Sequence, residues 1–369
     1  MVNSFTVKEA ISKLVLAQDL TDYEADAAMD EIMAGAATPS QIAAFLTAIR
    51  MKGPTVEELA AFASTMRRHA HSIRPKTSSR LIDTCGTGGD KLKTFNISTI
   101  AALVTAGAGV CVAKHGNRSF TSKCGSADLL ERLGVNINAD PKTVQNSIEQ
   151  ANIGFMFAPV FHPAMKHAGP TRKEIGIRTI FNVLGPLTNP AGATRQVVGV
   201  YDEALVIPIA QVLKRLGAEQ AMVVHGLDGM DEISPVGRTK AARLVDGEIR
   251  EEIIEPSNFG LKHRSFQEVS AEGSDIEVYA SVAFNIFGNG KNPSPKESAT
   301  RDSVLMNGSA ALVIAGAADT YLDGVELAKT SIESGRALEK LVSLVRITGG
   351  DLSLLESMSA PKIERMHQS

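Results

Sequence analysis

The stretch Gly86-Thr87-Gly88-Gly89-Asp90 and the later stretch Lys114-His115-Gly116-Asn117-Arg118 lie on either side of Asn96-Ile97-Ser98-Thr99, within one predicted strand–helix–strand unit. Glycine residues let backbone N–H groups approach an anion without a Cβ atom in the way, and the N-terminal end of the following helix carries partial positive charge. The second stretch adds the cationic side chains of Lys114 and Arg118. We therefore expect an α/β fold with a site for a multiply phosphorylated ligand.

Length, charge and cysteine content narrow the class of protein. The chain has 369 residues, a hydrophobic fraction of 44% and a formal net charge of -3. This length favours about two domains, and the charge disfavours nucleic acid or an anionic membrane as the main partner. Apolar runs fall short of the ~18 residues that a membrane span requires. Cys85, Cys111 and Cys124 lack metal-ligand spacing and the N-terminus lacks a secretory leader, so we expect a cytoplasmic protein with reduced thiols.

The first 75 residues are expected to form a small N-terminal helical domain. Four stretches have the capping-box pattern, in which a threonine starts a helix and a Glu or Gln three residues later caps it in return. They run from Thr6 to Glu9, Thr21 to Glu24, Thr38 to Gln41 and Thr55 to Glu58. Because short alanine-rich helices bury little surface by themselves, this domain is expected to pack against the rest of the chain or a second subunit.

Residues 76–369 are expected to form a large α/β domain with a mainly parallel central sheet, because short apolar runs alternate there with amphipathic stretches. The predicted strands are Leu81–Asp83, Val110–Lys114, Ile153–Phe157, Gln196–Tyr201 and Ala221–His225; the predicted helices include Ile97–Ala106, Asp128–Leu133 and Leu205–Leu216. Asp246-Gly247 predicts a hairpin turn. Residues 310–319 and 325–345 are predicted to form long packed helices near the C-terminus.

Residues 158–192 interrupt this alternation with five prolines set among Gly and Asn. Such a stretch is either a linker or a structured excursion that carries a site. The basic residues Arg172, Lys173 and Arg178 and the apolar content of 181–187 favour the second interpretation. Part of 170–192 is expected to complete the helical domain.

The common nucleotide-binding fingerprints do not fit, because residues 86–89 lack the third glycine of the dinucleotide motif and no Gly-Lys-Ser/Thr follows. The order of the motifs instead resembles the anthranilate phosphoribosyltransferase family over essentially the whole chain. The motifs that carry the resemblance are 85–90, Thr94, 96–99, 114–118, Ser122-Lys123, 125–128, His162-Pro163-Ala164, Pro170-Thr171-Arg172, 176–179, 181–190 and Gly229-Met230-Asp231-Glu232.

The resemblance implies transfer of phosphoribose from phosphoribosyl pyrophosphate (PRPP) to the amine of anthranilate, with two Mg²⁺ ions per subunit, in a homodimer built through the helical domain. The residues implied for PRPP are Gly86, Gly89, Asp90, Thr94, Asn96, Ile97, Ser98, Thr99, Lys114, His115, Gly116, Asn117, Arg118, Ser122 and Ser126. Those implied for anthranilate are Gly86, Asn117, His162 and Arg172, and those for the metal are Ser98, Asp231 and Glu232. The resemblance implies no nucleophile and no general acid or base.

The residue types suit this chemistry, although each has a simpler interpretation. Neighbours in a regular strand point to opposite faces, so a loop must turn Asp231 and Glu232 toward one site, where two carboxylates suit Mg²⁺ shared with phosphates. A solvated surface turn is the alternative. The planar guanidinium of Arg172 matches a carboxylate, and an exposed arginine in a proline-rich loop is the alternative.

Two departures from the family pattern and two rival functions are kept open. Lys91, Leu92 and Lys93 replace small residues, and Phe120-Thr121 replaces a small aliphatic residue followed by Ser. A pyrimidine nucleoside phosphorylase would need a nucleobase site and no Mg²⁺. A non-catalytic relative that binds nucleic acid would need a dominant basic groove, which a net charge of -3 disfavours.

Overall fold

The N-terminal helices begin where the capping boxes predict. They are α1 (Val7–Leu14), α2 (Asp22–Met33), α3 (Pro39–Lys52) and α4 (Val56–Arg68), and each is preceded by a threonine whose side chain accepts a hydrogen bond from the third helical residue. The reciprocal bond, which the threonine backbone N–H donates to the Glu or Gln side chain, is present in all four. These four predictions are confirmed.

The computed structural model describes residues 5–89, 92–119, 124–288 and 293–359. The predicted PRPP residues Asp90 and Ser122 lie outside the described residues, as do Lys91, Phe120 and Thr121. Among the described residues, no helix combines the length and the apolar character needed to cross a bilayer.

After α4 the chain alternates between strands and helices. The strands are β1 (Ile82–Gly86), β2 (Val112–Gly116), β3 (Ile153–Phe157), β4 (Arg195–Gly199), β5 (Gln220–Gly226), β6 (Thr239–Val245) and β7 (Glu248–Ile254). The helices up to β5 are α5 (Ile97–Gly107), α6 (Ser126–Arg132), α7 (Pro141–Ala151), α8 (Ala158–Phe161), α9 (Gly169–Ile175), α10 (Phe181–Leu187) and α11 (Val206–Arg215). The later helices are α12 (Phe266–Val269), α13 (Ile276–Phe287), α14 (Pro295–Ala315), α15 (Tyr321–Glu333), α16 (Arg336–Thr348) and α17 (Leu352–Ser359).

One seven-stranded sheet in the order β3-β2-β1-β4-β5-β6-β7 forms the centre. The strands from β3 to β5 run parallel, whereas β6 and β7 are antiparallel. The mainly parallel sheet is therefore confirmed. The predicted hairpin joins β6 to β7, with Asp246 at φ +51° and Gly247 at φ +75°, as a type I′ turn requires.

The sheet opens between β1 and β2. These strands are in register at Ile82 and Val112 alone, whereas β1 with β4 and β2 with β3 each pair over five residues. Because parallel strands carry evenly spaced hydrogen bonds along their length, the separation of β1 from β2 leaves backbone groups that other partners must satisfy.

Two large hydrophobic clusters cover the two faces of the sheet. One includes α5 and the C-terminal helices α13 to α16. The other joins the N-terminal helices α1 to α4 with α10, α11 and the opposite face of the sheet. The half-buried Arg67 of α4 donates to the backbone oxygens of Leu187 (2.8 Å) and Leu216 (3.5 Å), at the C-terminal ends of α10 and α11. Residues 158–192 are thus structured, while the domain boundary at residue 75 stays a prediction.

Several element bounds differ from the prediction. The predicted first two strands begin and end too early, because β1 continues to Gly86 beside β4 and β2 continues to Gly116 beside β3. Residues 325–345 are two helices rather than one, since Gly335 takes φ +79° between α15 and α16. Residues 310–319 contain the end of α14, which begins at Pro295 and stops before Gly316 at φ +74°.

Candidate active site

The glycine-rich loop after β1 turns back toward β4. Gly88 and Gly89 take φ values of +63° and +80°, the left-handed region that disfavours residues with a Cβ atom. Thr87 N donates to Gly199 O at 2.8 Å, and Tyr201 N donates to Thr87 Oγ1 at 3.1 Å. The loop therefore lies across the carboxyl ends of β1 and β4, where parallel sheets commonly bind ligands.

Helix α5 points its N-terminal end at the same region. Ser98 N donates to Glu232 Oε1 at 3.2 Å, so a carboxylate lies at the positive end of the helix. Asn96 Nδ2 donates to the Cys124 carbonyl at 3.0 Å. Asn96 Oδ1 and Thr99 Oγ1 are buried without a hydrogen-bond partner in the described ranges. The first turn of α5 thus has polar atoms available to a ligand.

Lys114 lies near the end of β2 and is buried. Its Nζ donates to Thr84 O at 2.5 Å and lies 3.4 Å from Ser98 Oγ. Burial lowers the pKa of Lys114, and the nearby carboxylates of Asp83 and Glu232 oppose that shift. A cationic side chain from β2 thereby joins β1 to the start of α5.

The loop after β2 and helix α6 carry the next predicted residues. Ser126 Oγ donates to Asn117 O at 3.1 Å. The Arg118 guanidinium is held by Asp128 (2.8 Å) and Glu131 (2.7 Å), which raise its pKa. Arg118 therefore contacts α6 in this structure, and a phosphate would compete with two carboxylates for it. Thr94 and Gly116 are half-buried.

The loop after β5 places one of the two adjacent carboxylates beside the glycine-rich loop and the other beside the start of α5. A Cβ atom on Gly86 would lie 3.0 Å from Asp231 Oδ2, which places Asp231 against the glycine-rich loop, while Glu232 reaches α5. Burial raises the pKa of Asp231, and a hydrogen bond from the Gly88 backbone opposes this. Asn307 of α14 fixes the loop through Ile233 N (3.1 Å) and Ile233 O (3.2 Å).

Two buried histidines lie beside this region. The rings of His115 and His162 have centroids 5.0 Å apart. His115 Nδ1 lies 3.1 Å from Gly185 O, so Nδ1 carries the proton, and the Nε2 atoms of both histidines have no partner within the described part of the chain. Burial lowers the pKa of His115 to about 3 and that of His162 to about 4. Both rings are neutral and His115 presents an unused lone pair.

Arg172 lies on α9, which packs against α3 of the helical region. It is half-buried, and burial lowers its pKa. Arg178, in the following loop, donates to Gly89 O at 2.5 Å, and its guanidinium carbon lies 4.3 Å from the Tyr201 ring centroid. The sequence indicated basic residues here without placing Arg178 on the glycine-rich loop.

Sequence reasoning missed a buried pair next to these residues. Asp83 of β1 is fully buried and accepts hydrogen bonds from His115 N (3.1 Å) and Asn189 Nδ2 (2.7 Å). Burial raises the pKa of Asp83, while Lys114 and the hydrogen-bond donors oppose the shift. The available signals were a carboxylate within a strand expected to be apolar and the place of Asn189 in the 181–190 motif.

Comparison with known proteins gives a consistent result. Residues 78–338 match the model described as "Glycosyl transferase family, a/b domain", and residues 8–70 match "Glycosyl transferase family, helical bundle domain". The chain is 50% identical over 344 residues to the anthranilate phosphoribosyltransferase of Methanocorpusculum labreanum, covering 93% of this chain and 98% of the relative. The Alkaliphilus metalliredigens enzyme of that name is 48% identical over 342 residues, with the same coverage.

Solved structures of that enzyme are also similar. The one from Thermus thermophilus has a TM-score of 0.85 and 39% identity, covering 92% of this chain and 99% of that chain. The one from Saccharomyces cerevisiae in complex with PRPP and Mg has a TM-score of 0.84 and 27% identity, with 93% and 98% covered. The yeast enzyme was also solved with 4-fluoroanthranilate.

A helical bundle on an α/β sheet, with a glycine-rich loop and paired carboxylates at the strand ends, defines a glycosyltransferase of the two-domain class. Within that class, the chain belongs to the anthranilate phosphoribosyltransferase family.

Proposed function

We propose that this protein transfers 5-phosphoribose from PRPP to the amine of anthranilate, giving N-(5-phosphoribosyl)anthranilate and pyrophosphate, in L-tryptophan biosynthesis. The observation that carries the proposal is the meeting of four features at the carboxyl ends of β1, β2 and β5. These are the glycine-rich loop, the start of α5, Lys114, and the Asp231-Glu232 loop.

The donor substrate carries a phosphate and a pyrophosphate, so its site needs many hydrogen-bond donors. Backbone N–H groups of the glycine-rich loop and of α5 supply neutral donors, and the helix dipole adds positive potential. Lys114 supplies a charge that is already desolvated and held in place by Thr84 and Ser98. Such preorganised groups stabilise a departing pyrophosphate without reorganising during the reaction.

The donor set fits Mg²⁺. Asp231 and Glu232 offer hard oxygen atoms beside the glycine-rich loop and the start of α5, and Ser98, whose backbone N–H donates to Glu232, adds a hydroxyl. No group of three or more His, Cys, Asp or Glu side chains converges within the described ranges, so the remaining ligands would be substrate oxygens and water. We propose two ions per subunit with PRPP. Bound Mg²⁺ would neutralise charge on the leaving pyrophosphate.

The acceptor side suits a neutral aromatic amine with a carboxylate. The unprotonated Nε2 atom of His115 can accept a hydrogen bond from the amine, and His162 lies beside it with its own Nε2 unpaired. Arg172 would bind the anthranilate carboxylate through two parallel hydrogen bonds. Because the amine of anthranilate is neutral at neutral pH, no strong base is required. Rate enhancement then comes from orientation and charge stabilisation.

Mixing the purified protein with PRPP, Mg²⁺ and anthranilate tests this proposal. We expect anthranilate fluorescence to disappear, and a chain without tryptophan leaves that signal clear. Uridine with inorganic phosphate serves as the alternative substrate pair. Mg²⁺-independent release of uracil, without consumption of anthranilate, would support the nucleoside phosphorylase instead.

We also propose a cytoplasmic homodimer formed through the helical domain. Val15 and Leu16 at the end of α1 are 66% and 69% exposed, and Met51 near the end of α3 is 83% exposed. Helices α1 and α3 pack together, and the ion pair of Asp19 with Lys52 at 2.6 Å joins the segment after α1 to the end of α3. Exposed apolar residues grouped on one surface favour a protein partner there.

A further inference from the structure

Side chains replace the missing ladder where β1 and β2 separate. Beyond the pair Ile82 and Val112, His115 N donates to the Asp83 carboxylate rather than to a carbonyl of β1. On β1, Thr84 O accepts a hydrogen bond from Lys114 Nζ at 2.5 Å. Asn189 Nδ2 donates to Ala113 O at 2.8 Å. Three polar side chains therefore bind the backbone groups that the separation of β1 from β2 leaves unpaired.

Asp83 and Asn189 form the centre of this arrangement. Both side chains are buried, at 0% and 2% exposure. Asn189 donates to Asp83 Oδ2 at 2.7 Å, and its Oδ1 accepts from Ala191 N at 2.9 Å. The carboxylate thus connects β1, β2 and the segment that follows α10.

These connections reach both sides of the candidate active site. On β2, the hydrogen bond that His115 N donates to Asp83 fixes the backbone between Lys114, whose Nζ reaches Thr84 O, and His115, whose ring reaches Gly185 O. On the other side, Asn189 follows α10, which supplies the Gly185 carbonyl that orients His115. The buried Asp83 carboxylate therefore sets the position of β2 relative to the segment that follows α10.

Stability alone does not account for a carboxylate at this point. A regular parallel ladder would satisfy the same backbone groups, whereas a buried carboxylate must be compensated by surrounding donors. The compensation comes from residues next to the site. The separation of β1 from β2, which positions Lys114 and His115, explains why the Asp83 carboxylate is buried here.

We propose that Asp83, paired with Asn189, is a positioning residue for phosphoribosyl transfer, holding β1 and β2 apart so that Lys114 and His115 face their substrates. This inference rests on the proposed function. Asp83 itself contacts no reacting atom, so its effect passes through Lys114 and His115.

The first variant is Asp83→Asn, which keeps the shape and removes the charge. An amide at this position must direct its NH₂ group at either His115 N–H or Asn189 Nδ2–H, so one donor is left facing another donor. We expect kcat/KM for PRPP to fall about 100-fold, as small misplacements of catalytic groups do. We also expect the His115 amide to exchange its hydrogen faster, as measured by mass spectrometry.

The control is Glu58→Gln in the helical domain. Glu58 is also fully buried and accepts from Leu20 N (2.9 Å), Thr55 N (2.7 Å) and Lys52 Nζ (2.9 Å). This variant should lower the melting temperature while leaving kcat/KM for PRPP within about twofold. Equal losses of melting temperature with an unchanged kcat/KM in Asp83→Asn would overturn the positioning role.

Asn189→Ala adds a test of the pairing, because it removes the donor both to Asp83 Oδ2 and to Ala113 O. Should Asp83→Asn fail to fold, Asn189→Ala decides, with an expected loss of about tenfold in kcat/KM and an unchanged value as the contrary result.

Calorimetry of PRPP with Mg²⁺ separates this inference from the proposed function. Absence of anthranilate turnover in the unsubstituted protein contradicts the proposed function alone. An unchanged PRPP affinity in soluble Asp83→Asn contradicts the positioning role alone.

Discussion

The rings of His115 and His162 lie 5.0 Å apart between centroids and are tilted by 54°, with both Nε2 atoms free of partners among the described residues. They come from β2 and from the residue after α8, which are separated by more than forty positions in the chain. Two buried neutral bases side by side are costly unless a ligand uses their lone pairs. Their neutrality therefore has measurable consequences for stability.

Stability should fall on mild acidification. The folded-state pKa values, about 3 for His115 and about 4 for His162, lie below the ordinary value of 6.5. Below pH 6.5 the unfolded chain binds protons that the folded chain does not, so the free energy of unfolding decreases from there toward pH 4. Each histidine should contribute a loss on the order of 1 kcal/mol by about pH 5.5. Urea unfolding at several pH values measures this.

His162→Gln should reduce that pH dependence. His263→Gln is the control, because His263 is exposed. Equal pH slopes for His162→Gln and the unsubstituted protein would contradict the assignment of a neutral buried ring.

Arg172→Ala should raise the KM for anthranilate by about 10- to 100-fold, the value of a charge-assisted bidentate contact, and change the KM for PRPP far less. Lys173→Ala is the control: it removes an exposed positive charge from the same helix and should leave the KM for anthranilate unchanged. An anthranilate KM equal to that of the unsubstituted protein would remove the role of Arg172.

Replacing Asp231 and Glu232 together by Ala should abolish turnover and its Mg²⁺ dependence, because the paired hard oxygen ligands are lost. Glu248→Ala/Glu251→Ala removes two exposed carboxylates from β7 and should leave both unchanged. Full activity in the Asp231 and Glu232 variant would refute the metal assignment.

Gly199→Ala should displace the carboxylate loop. A Cβ atom there would lie 1.6 Å from the Asp231 carbonyl oxygen, a distance that forces the backbone to move. We expect a stability loss of about 1–3 kcal/mol or more, together with reduced Mg²⁺ affinity. Gly237→Ala, with no atom within 4 Å of the added Cβ, is the control. Normal thermal unfolding and turnover of Gly199→Ala would show that the loop tolerates the shift.

Leu16→Glu/Met51→Glu should convert the proposed dimer to a monomer in sedimentation velocity, because two charges would enter an apolar interface. Leu322→Glu places the same charge at an exposed leucine of α15 and should not change the sedimentation coefficient. A dimer that persists in the double variant would locate the interface elsewhere.

Local signals predicted the local structure. The capping boxes at Thr6, Thr21, Thr38 and Thr55 need residues three positions apart, and Asp246-Gly247 needs only a turn, so both features are readable from short stretches. The end of β1 was misplaced because Gly86 is strand-like only through its pairing with Gly199. Glycine by itself argues against a strand.

The parts of the candidate site that were missed depend on distant partners. Asp83 and Asn189 are 106 positions apart, and Arg178 meets Gly89 across 89 positions. Neither pair has a sequence spacing that predicts contact. For Arg118 the motif predicted a phosphate contact, but it gave no sign of the ion pairs with Asp128 and Glu131.

Where β1 and β2 separate, a side-chain substitution affects the hydrogen bonding of the sheet itself. In an ordinary ladder the main chain carries the pairing and side chains can vary without breaking it. Here the side chains of Asp83, Lys114 and Asn189 make the hydrogen bonds to the strand backbones. Exchanging any of them therefore removes a hydrogen bond from the sheet, as a proline does inside a strand.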